Sequence, residues 1–216
     1  MSVLREGLGR YLSPAALETL GRARIGIAGA GGLGSNVAML LLRSGIRHFV
    51  LVDRDRVEAS NLNRQFYWPE DVGKRKVEAL RNRLTQLEPD ADCRCHAIAV
   101  NASNAVDLFS DCDVVVEALD EAGQKAEFAA LWLGAGYYVV AASGLGGYGL
   151  PPMQVRSLGK TFVCVGDFTT AADADAPPLA PRVMQAAALQ ADAVLARILA
   201  GWGSIRRTVD SSFSMS

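Results

Sequence analysis

Residues 25–35 read Ile25-Gly26-Ile27-Ala28-Gly29-Ala30-Gly31-Gly32-Leu33-Gly34-Ser35. A short apolar run, Ile25 to Ala28, leads into Gly29-x-Gly31-x-x-Gly34, and helical sequence follows from about Ser35 to Arg43. Glycines at that spacing let a backbone turn tightly from strand to helix and come close to a phosphate. The helix start then supplies free N–H groups and the positive end of its dipole. A second apolar run, His48 to Val52, ends on Asp53, close to the spacing at which an acid meets a ribose hydroxyl. Strand, turn, helix, strand and acid thus occur in order. A tight turn without a ligand is the plainer alternative.

Working outward, the pattern of strand and helix continues. Ser13 and Pro14 resemble an N-cap and first helical position, so residues 1–24 predict an N-terminal helical arm. Lys74 to Leu87 has helical spacing, with Val77, Leu80, Leu84 and Leu87 on one face. Asp92 to Val100 alternates and predicts a third strand. Ser103 can cap a short helix to Phe109. Val114 to Ala118 predicts a fourth strand, Glu121 to Gly134 a helix, and Tyr137 to Ala142 a fifth strand. This alternation predicts an α/β fold with a doubly wound, mostly parallel, Rossmann-like sheet. After Gly149 the pattern changes. Met153 to Leu158 and Thr161 to Val165 flank Gly159-Lys160 and predict a β-hairpin. Thr169 to Pro181, rich in Ala, Asp and Pro, predicts a mobile loop, and Arg182 to Leu199 a last amphipathic helix. The serine-rich tail, residues 203–216, is expected to fray. Residues 1–216 are expected to form a single nucleotide-binding domain.

Composition agrees. Hydrophobic residues make up 50% of the 216, but aromatics only 7%, so the core must be aliphatic, as in a parallel sheet covered by helices. A net charge of -1 favours neither nucleic acid nor a membrane surface as the main partner. Met1 to Gly9 has no long apolar run, and no window is expected to approach a membrane span, so a soluble cytoplasmic protein is expected. Cys93, Cys95, Cys112 and Cys164 form no CxxC pair and predict buried, inert thiols. His48 and His96 lie in strand-like runs and are not expected to be ligands.

The glycine turn alone also suits a nicotinamide or flavin oxidoreductase. The next loop argues otherwise. Residues 54–73 form a polar connection that is long for a compact domain, which itself suggests function. It carries Asp55 and then Ser60-Asn61-Leu62-Asn63-Arg64-Gln65, at the sheet edge where α/β ligands bind. A dinucleotide needs room there, whereas a triphosphate needs cations. Lys74, Arg75 and Lys76 open the following helix. Three cations at a helix start are unfavourable unless an anion is near. Spacing alone does not choose Lys76 over Lys74.

These stretches together resemble a known family. Gly29 to Ser35, Leu51-Val52-Asp53, Asn61-Leu62-Asn63-Arg64-Gln65, and Val72-Gly73 with Lys76-Val77-Glu78-Ala79 are similar to the ThiF, MoeB and ubiquitin-activating-enzyme superfamily. The likeness runs in order over roughly residues 20 to 145. Ala141-Ala142-Ser143-Gly144, Gly147-Tyr148-Gly149, Val165-Gly166-Asp167-Phe168 and Ala180-Pro181-Arg182 resemble its short ThiF subgroup.

The resemblance implies ATP-dependent adenylylation of the C-terminal glycine of a small ubiquitin-like sulfur-carrier protein of the ThiS kind, in thiamine synthesis. It implies that Gly29, Gly31 and Gly34 approach the ATP phosphates, that Asp53 accepts hydrogen bonds from the ribose, and that Gly32 and Asp55 also bind the nucleotide. Asn61, Arg64 and Lys76 would bind the phosphates, Gln65 would also contact the nucleotide, and Asp120 would hold Mg2+. Arg64, Lys76 and Asp120 are then the expected catalytic set. Arg64 as a solvated loop residue and Asp120 as a simple helix N-cap stay open. Glu121 stands where the family usually shows Asn.

The resemblance also implies a homodimer, with Arg5, Arg10 or Arg22 of the arm as candidates to reach a partner's site. Long members bind zinc through two CxxC pairs, which this sequence lacks, so no structural zinc is expected. Cys164 sits in an apolar run, so adenylylation without an obligatory cysteine conjugate is expected. Residues 169–181 and Gly144 to Gly149 would guide the carrier's tail. Activation of a different carrier, such as a molybdopterin-synthase subunit, an NAD-dependent oxidoreductase, and a non-catalytic nucleotide-sensing module remain alternatives.

Overall fold

The computed structural model describes residues 2–149 and 151–200. The expected fraying of residues 203–216 lies outside them. The arm folds as two helices, α1 (Val3–Leu8) and α2 (Pro14–Arg22). Ser13 caps α2 by accepting a hydrogen bond from the Ala16 N–H at 3.2 Å, with Pro14 at the first position. Ala16, Leu17 and Leu20 are buried, so the arm is part of the core.

Strands β1 (Arg24–Ala28), β2 (His48–Val52), β3 (Asp92–His96), β4 (Val114–Glu117) and β5 (Tyr138–Ala142) alternate with α3 (Gly32–Arg43), α4 (Lys76–Leu87) and α5 (Ala122–Gly134). The hairpin is β6 (Gln154–Leu158) and β7 (Phe162–Gly166), and the last helix is α6 (Ala180–Ala200). The seven strands run β3-β2-β1-β4-β5-β7-β6 in one sheet, parallel except at β6. The hairpin therefore extends the sheet: β7 pairs in parallel with β5, and β6 is the antiparallel edge.

Two apolar layers cover the sheet. Leu41, Leu42, Leu80, Ala187 and Val194 from α3, α4 and α6 pack on one face. Phe109, Phe128 and Trp132 pack on the other, with Phe109 and Trp132 edge to face at 5.6 Å. Gly26 in β1 makes room for Phe109, because a Cβ there would overlap its ring. Here residues 101–109 form turns and one 3-10 turn (Asp107–Phe109) in place of the expected helix. Asn101, not Ser103, supplies the local cap, accepting from the N–H groups of Ser103 and Asn104.

Two other expectations differ. The third strand stops at His96 rather than Val100, because its partner β2 ends at Val52 and leaves residues 97–100 nothing to pair with. Helix α6, at 21 residues, is long and apolar enough to cross a membrane by length and composition, contrary to the expectation that no window approaches that length. In the fold its inner face packs on α3, β5 and β7 and buries Arg182 and Gln190.

In register, Ala28 pairs with both Val52 and Glu117, and β5 runs alongside β4. The strands thus deliver Gly29, Asp53, Ala118 to Asp120 and Ser143 to one edge, where open α/β sheets bind ligands.

Candidate active site

The glycine turn is shaped by two different demands. Gly29 has φ +97°, and a Cβ there would overlap the Ala118 carbonyl oxygen. A Cβ on Gly34 would overlap the Gly29 carbonyl oxygen. These two glycines are required by the turn's own packing. Gly31 is different: its Cβ would meet nothing nearer than Gln65 Nε2 at 3.8 Å. It is the N-cap of α3 and offers no side-chain cap, so the first N–H groups of the helix are left for an external acceptor. Gly32 faces Val183 of α6 and the Arg64 stem.

Asp53 is held by two backbone donors, Ala30 N–H and Asp55 N–H, both at 2.7 Å. An ionised carboxylate has about four acceptor positions, so two remain for a ligand's hydroxyls. Burial pushes the Asp53 carboxyl above its usual range, against the opposing pull of Lys76 and the two N–H groups.

The long loop is anchored at its base. Buried Asp71 accepts from the Trp68 N–H, Lys74 Nζ and Arg83 Nε. This resolves the cluster of three cations. Lys74 is engaged by Asp71, and Arg75 donates to the Arg54 carbonyl at 2.7 Å. Lys76 is buried, with Nζ 3.0 Å from Asp55 Oδ2. Asn61 closes a local turn by accepting from the Glu58 N–H, and Gln65 is buried with an unpartnered Oε1. Arg64 is half-buried. Its Nη1 donates to Asn63 Oδ1 at 2.8 Å and the Ser60 carbonyl at 3.2 Å, and its own carbonyl is held by Asn36.

Two cavities open along the sheet edge. One is lined by Gly29, Gly31, Asp53, Asp55, Ile98 and Asp120, among others. The other, about 490 Å³, is lined by Gly32, Arg64, Lys125, Ser143, Gly144 and Ala171, among others. Leu119 and Asp120 line both, so the cavities meet at the end of β4. Asp120 is exposed there, and among the described residues it has no hydrogen-bond partner. Gly34, Asn61, Gln65 and Lys76 stand behind these walls rather than in them. Among the described residues no three His, Cys, Asp or Glu side chains cluster as a metal site.

Lys125 is a cavity cation that the motifs do not single out. Its Nζ donates to the Leu119 carbonyl at 2.8 Å and lies 3.3 Å from Glu117 Oε2. Burial pushes the Glu117 carboxyl up, while Lys125 and the Leu119 N–H pull against it. The signal was available: a lysine in the first turn of α5 opposes the helix dipole, as Lys74 to Lys76 do. Cys164 is half-buried and burial pushes its thiol up, which disfavours a nucleophilic thiolate.

A ThiF-family model matches residues 7–209. The chain belongs to the ThiF family. The sulfur carrier protein adenylyltransferase of Thermus thermophilus is 36% identical over 125 residues, 54% of this ThiF-family chain and 46% of that protein. Ubiquitin-like modifier-activating enzyme 5 of Caenorhabditis briggsae is 32% identical over 171 residues, 70% of this chain and 38% of that one. The chain therefore spans less than half the length of these relatives. Among solved structures, Escherichia coli tRNA N6-threonylcarbamoyladenosine dehydratase in complex with ATP superimposes with a TM-score of 0.83 at 24% identity. That match covers 91% of this chain and 94% of the other, and it shows that the two share a fold.

Proposed function

We propose that this protein uses ATP to adenylylate the C-terminal carboxylate of a small ubiquitin-like sulfur-carrier protein, of the ThiS type that serves thiazole synthesis. One observation carries the reading: two cavities, one against the glycine turn and Asp53, the other among small residues, meet at Asp120. A reaction between a nucleotide and an extended chain end needs that layout. The family supports activation of a carrier in general, and the Thermus relative supports a sulfur carrier in particular.

The chemistry asks for little proton transfer. A C-terminal carboxylate is ionised at neutral pH. One of its oxygens attacks the α-phosphorus, an O–P bond forms, the bond from that phosphorus to the bridging oxygen breaks, and pyrophosphate leaves with the electron pair. Holding two anions together and stabilising charge on the phosphoryl oxygens is the main work. The N–H groups of α3 receive phosphate oxygens, and Arg64 and Lys125 supply positive charge from the second cavity's wall. Lys76 joins them once a phosphate competes with Asp55. The exposed Asp120 carboxylate would hold a Mg2+, which would supply positive charge against the phosphates.

ATP–pyrophosphate exchange that depends on an added carrier ending in Gly-Gly tests this. Exchange with a ThiS-type carrier and none with molybdopterin-synthase-type carriers is the expected result. Exchange with the latter alone would move the protein to another carrier. Tight ATP binding without exchange would mark it as a sensor. Arg64→Ala should cut the exchange rate by roughly 100-fold or more, the scale seen when a group meeting transition-state charge is removed.

A further inference from the structure

Arg182 occupies the third position of α6 and is 4% exposed. A cation in the first turn of a helix opposes the helix dipole, and burial adds a desolvation cost. Something specific must hold it. Its Nη1 donates to the carbonyls of Gly149 and Pro151, each at 2.9 Å, and its Nη2 to Asp167 Oδ2. The other Asp167 oxygen accepts from the Thr169 and Thr170 N–H groups, both at 2.8 Å. One ion pair therefore ties together the segment after β5, the segment after β7 and the start of α6.

These two segments also interlock directly. Asp167 N–H donates to the Gly144 carbonyl, Phe168 N–H to that of Ser143, Gly146 N–H to that of Thr170, and Gly147 N–H to that of Pro177. The fit leaves no slack. A Cβ on Gly144 would overlap Asp167 Oδ1, and one on Gly146 would overlap the Ala171 carbonyl oxygen. Phe168 is held at φ +64°, a conformation that a non-glycine residue adopts at a cost. Its ring is capped by the Arg156 guanidinium at 3.9 Å. The outer surface of the interlocked pair is the wall of the second cavity: Ser143, Gly144 and Leu145 on one side, Thr170, Ala171 and Ala172 on the other. Arg182 and Asp167 do not touch that space themselves.

We propose that Arg182 and Asp167 are positioning residues that set the bore of the second cavity, and so select a carrier tail whose last residues have no side chains. The proposal rests on the carrier-activation reading above. A fixed wall of small side chains and backbone admits an extended glycine tail and rejects one further methyl group. A wall released from the clamp widens and loses that distinction. The nucleotide cavity shares only Leu119 and Asp120 with this space, and the phosphate-side residues Gly32, Arg64 and Lys125 lie on elements outside the interlocked pair, so ATP binding should change little.

The test compares wild type with Arg182→Lys and Asp167→Asn in carrier-dependent ATP–pyrophosphate exchange, using a ThiS-type carrier ending Gly-Gly and the same carrier ending Gly-Ala. Wild type should prefer Gly-Gly by about 10-fold or more, the scale of one methyl group in a tight pocket. In both variants KM for the Gly-Gly carrier should rise about 10-fold while KM for ATP stays within about twofold, and the Gly-Gly preference should fall to near unity. A merely structural pair would lower the melting temperature and raise both KM values together with the preference intact, and that outcome overturns the proposal. Asp167→Asn keeps the backbone caps, so it carries the test alone if Arg182→Lys fails to fold. Should both fail to fold, the pair is structural and the proposal is wrong. Wild type that shows no carrier-dependent exchange would instead refute the activation reading itself.

Discussion

Asp53 is a carboxylate asked to stay ionised in a place that disfavours ionisation. Burial raises its pKa above the ordinary 3.8, so at neutral pH its charge costs stability in the free protein; the stabilising contribution exists below the unfolded value and is lost as pH rises through the raised one. A bound ribose reverses the preference, because its hydroxyls donate to the ionised form. ATP affinity measured by calorimetry should therefore fall on acidification, starting above the ordinary aspartate range, and Asp53→Asn should flatten that profile. A flat wild-type profile would show that Asp53 does not meet the ribose. Asp167 has the opposite sign. Burial works to raise it, but hydrogen bonds from Thr170 and Thr169 and the Arg182 guanidinium outweigh that and lower its pKa. Its contribution to stability is present above the ordinary value and lost as pH falls through the lowered one. At this scale the sequence was readable where the strand pattern fixes a residue's place, as at Asp53, which closes β2 beside the glycine turn. It was not readable at Lys76, whose partner Asp55 lies 21 positions away and is brought near only by the pairing of residues 56 and 75.

At the scale of elements, the turn before α3 separates glycines that fold from a glycine that binds. Gly34→Ala drives a Cβ into the Gly29 carbonyl oxygen and should prevent stable folding. Gly31→Ala meets only an ordinary contact, although φ -82° with ψ -145° lies outside the regions that residues with a side chain favour, so it should lower the melting temperature far less than Gly34→Ala yet weaken ATP binding. Thermal unfolding with and without ATP distinguishes the two, and equal effects would contradict the division. The base of the 54–75 loop makes a similar point. Asp71→Ala leaves the Trp68 N–H without its acceptor and Arg83 with only the exposed Glu70, and should cost about 2 kcal/mol in a denaturant titration. A loss near zero would mean the loop holds its shape without that anchor. Strands written as apolar runs were legible, and so was the hairpin from Gly159-Lys160. The third strand was read too long because alternation continues where no neighbour strand does. The 169–181 segment looked mobile from its Ala, Asp and Pro content, yet it follows a hydrogen-bonded path, with Asp173 closing a turn through the Asp175 and Ala176 N–H groups. Composition records local preference, whereas the clamp on this segment comes from Asp167, Arg182 and the Gly146–Gly147 backbone.

At the scale of the molecule, the sheet order places the ends of β1, β2, β4 and β5 side by side, so that a glycine turn, Asp53, the exposed Asp120 and a cavity of small residues share one edge. The segment after β7 and Val183 of α6 build the second cavity's far wall, and the 54–75 loop brings Arg64 over it, with Asn63 reaching the Pro178 carbonyl at 3.4 Å. Alternation of strands and helices in the sequence was enough to expect the parallel sheet. The meeting of two cavities at Asp120 was beyond its reach, since it depends on residues from segments scattered between Gly29 and Val183. A crystal structure with ATP and magnesium tests that convergence most directly. Phosphates seated on the N–H groups of α3, with Arg64 and Asp120 turned toward them and the γ-phosphate end away from Asp53, is the arrangement expected. A nucleotide bound with Arg64 and Asp120 both directed away from its phosphates would contradict the account.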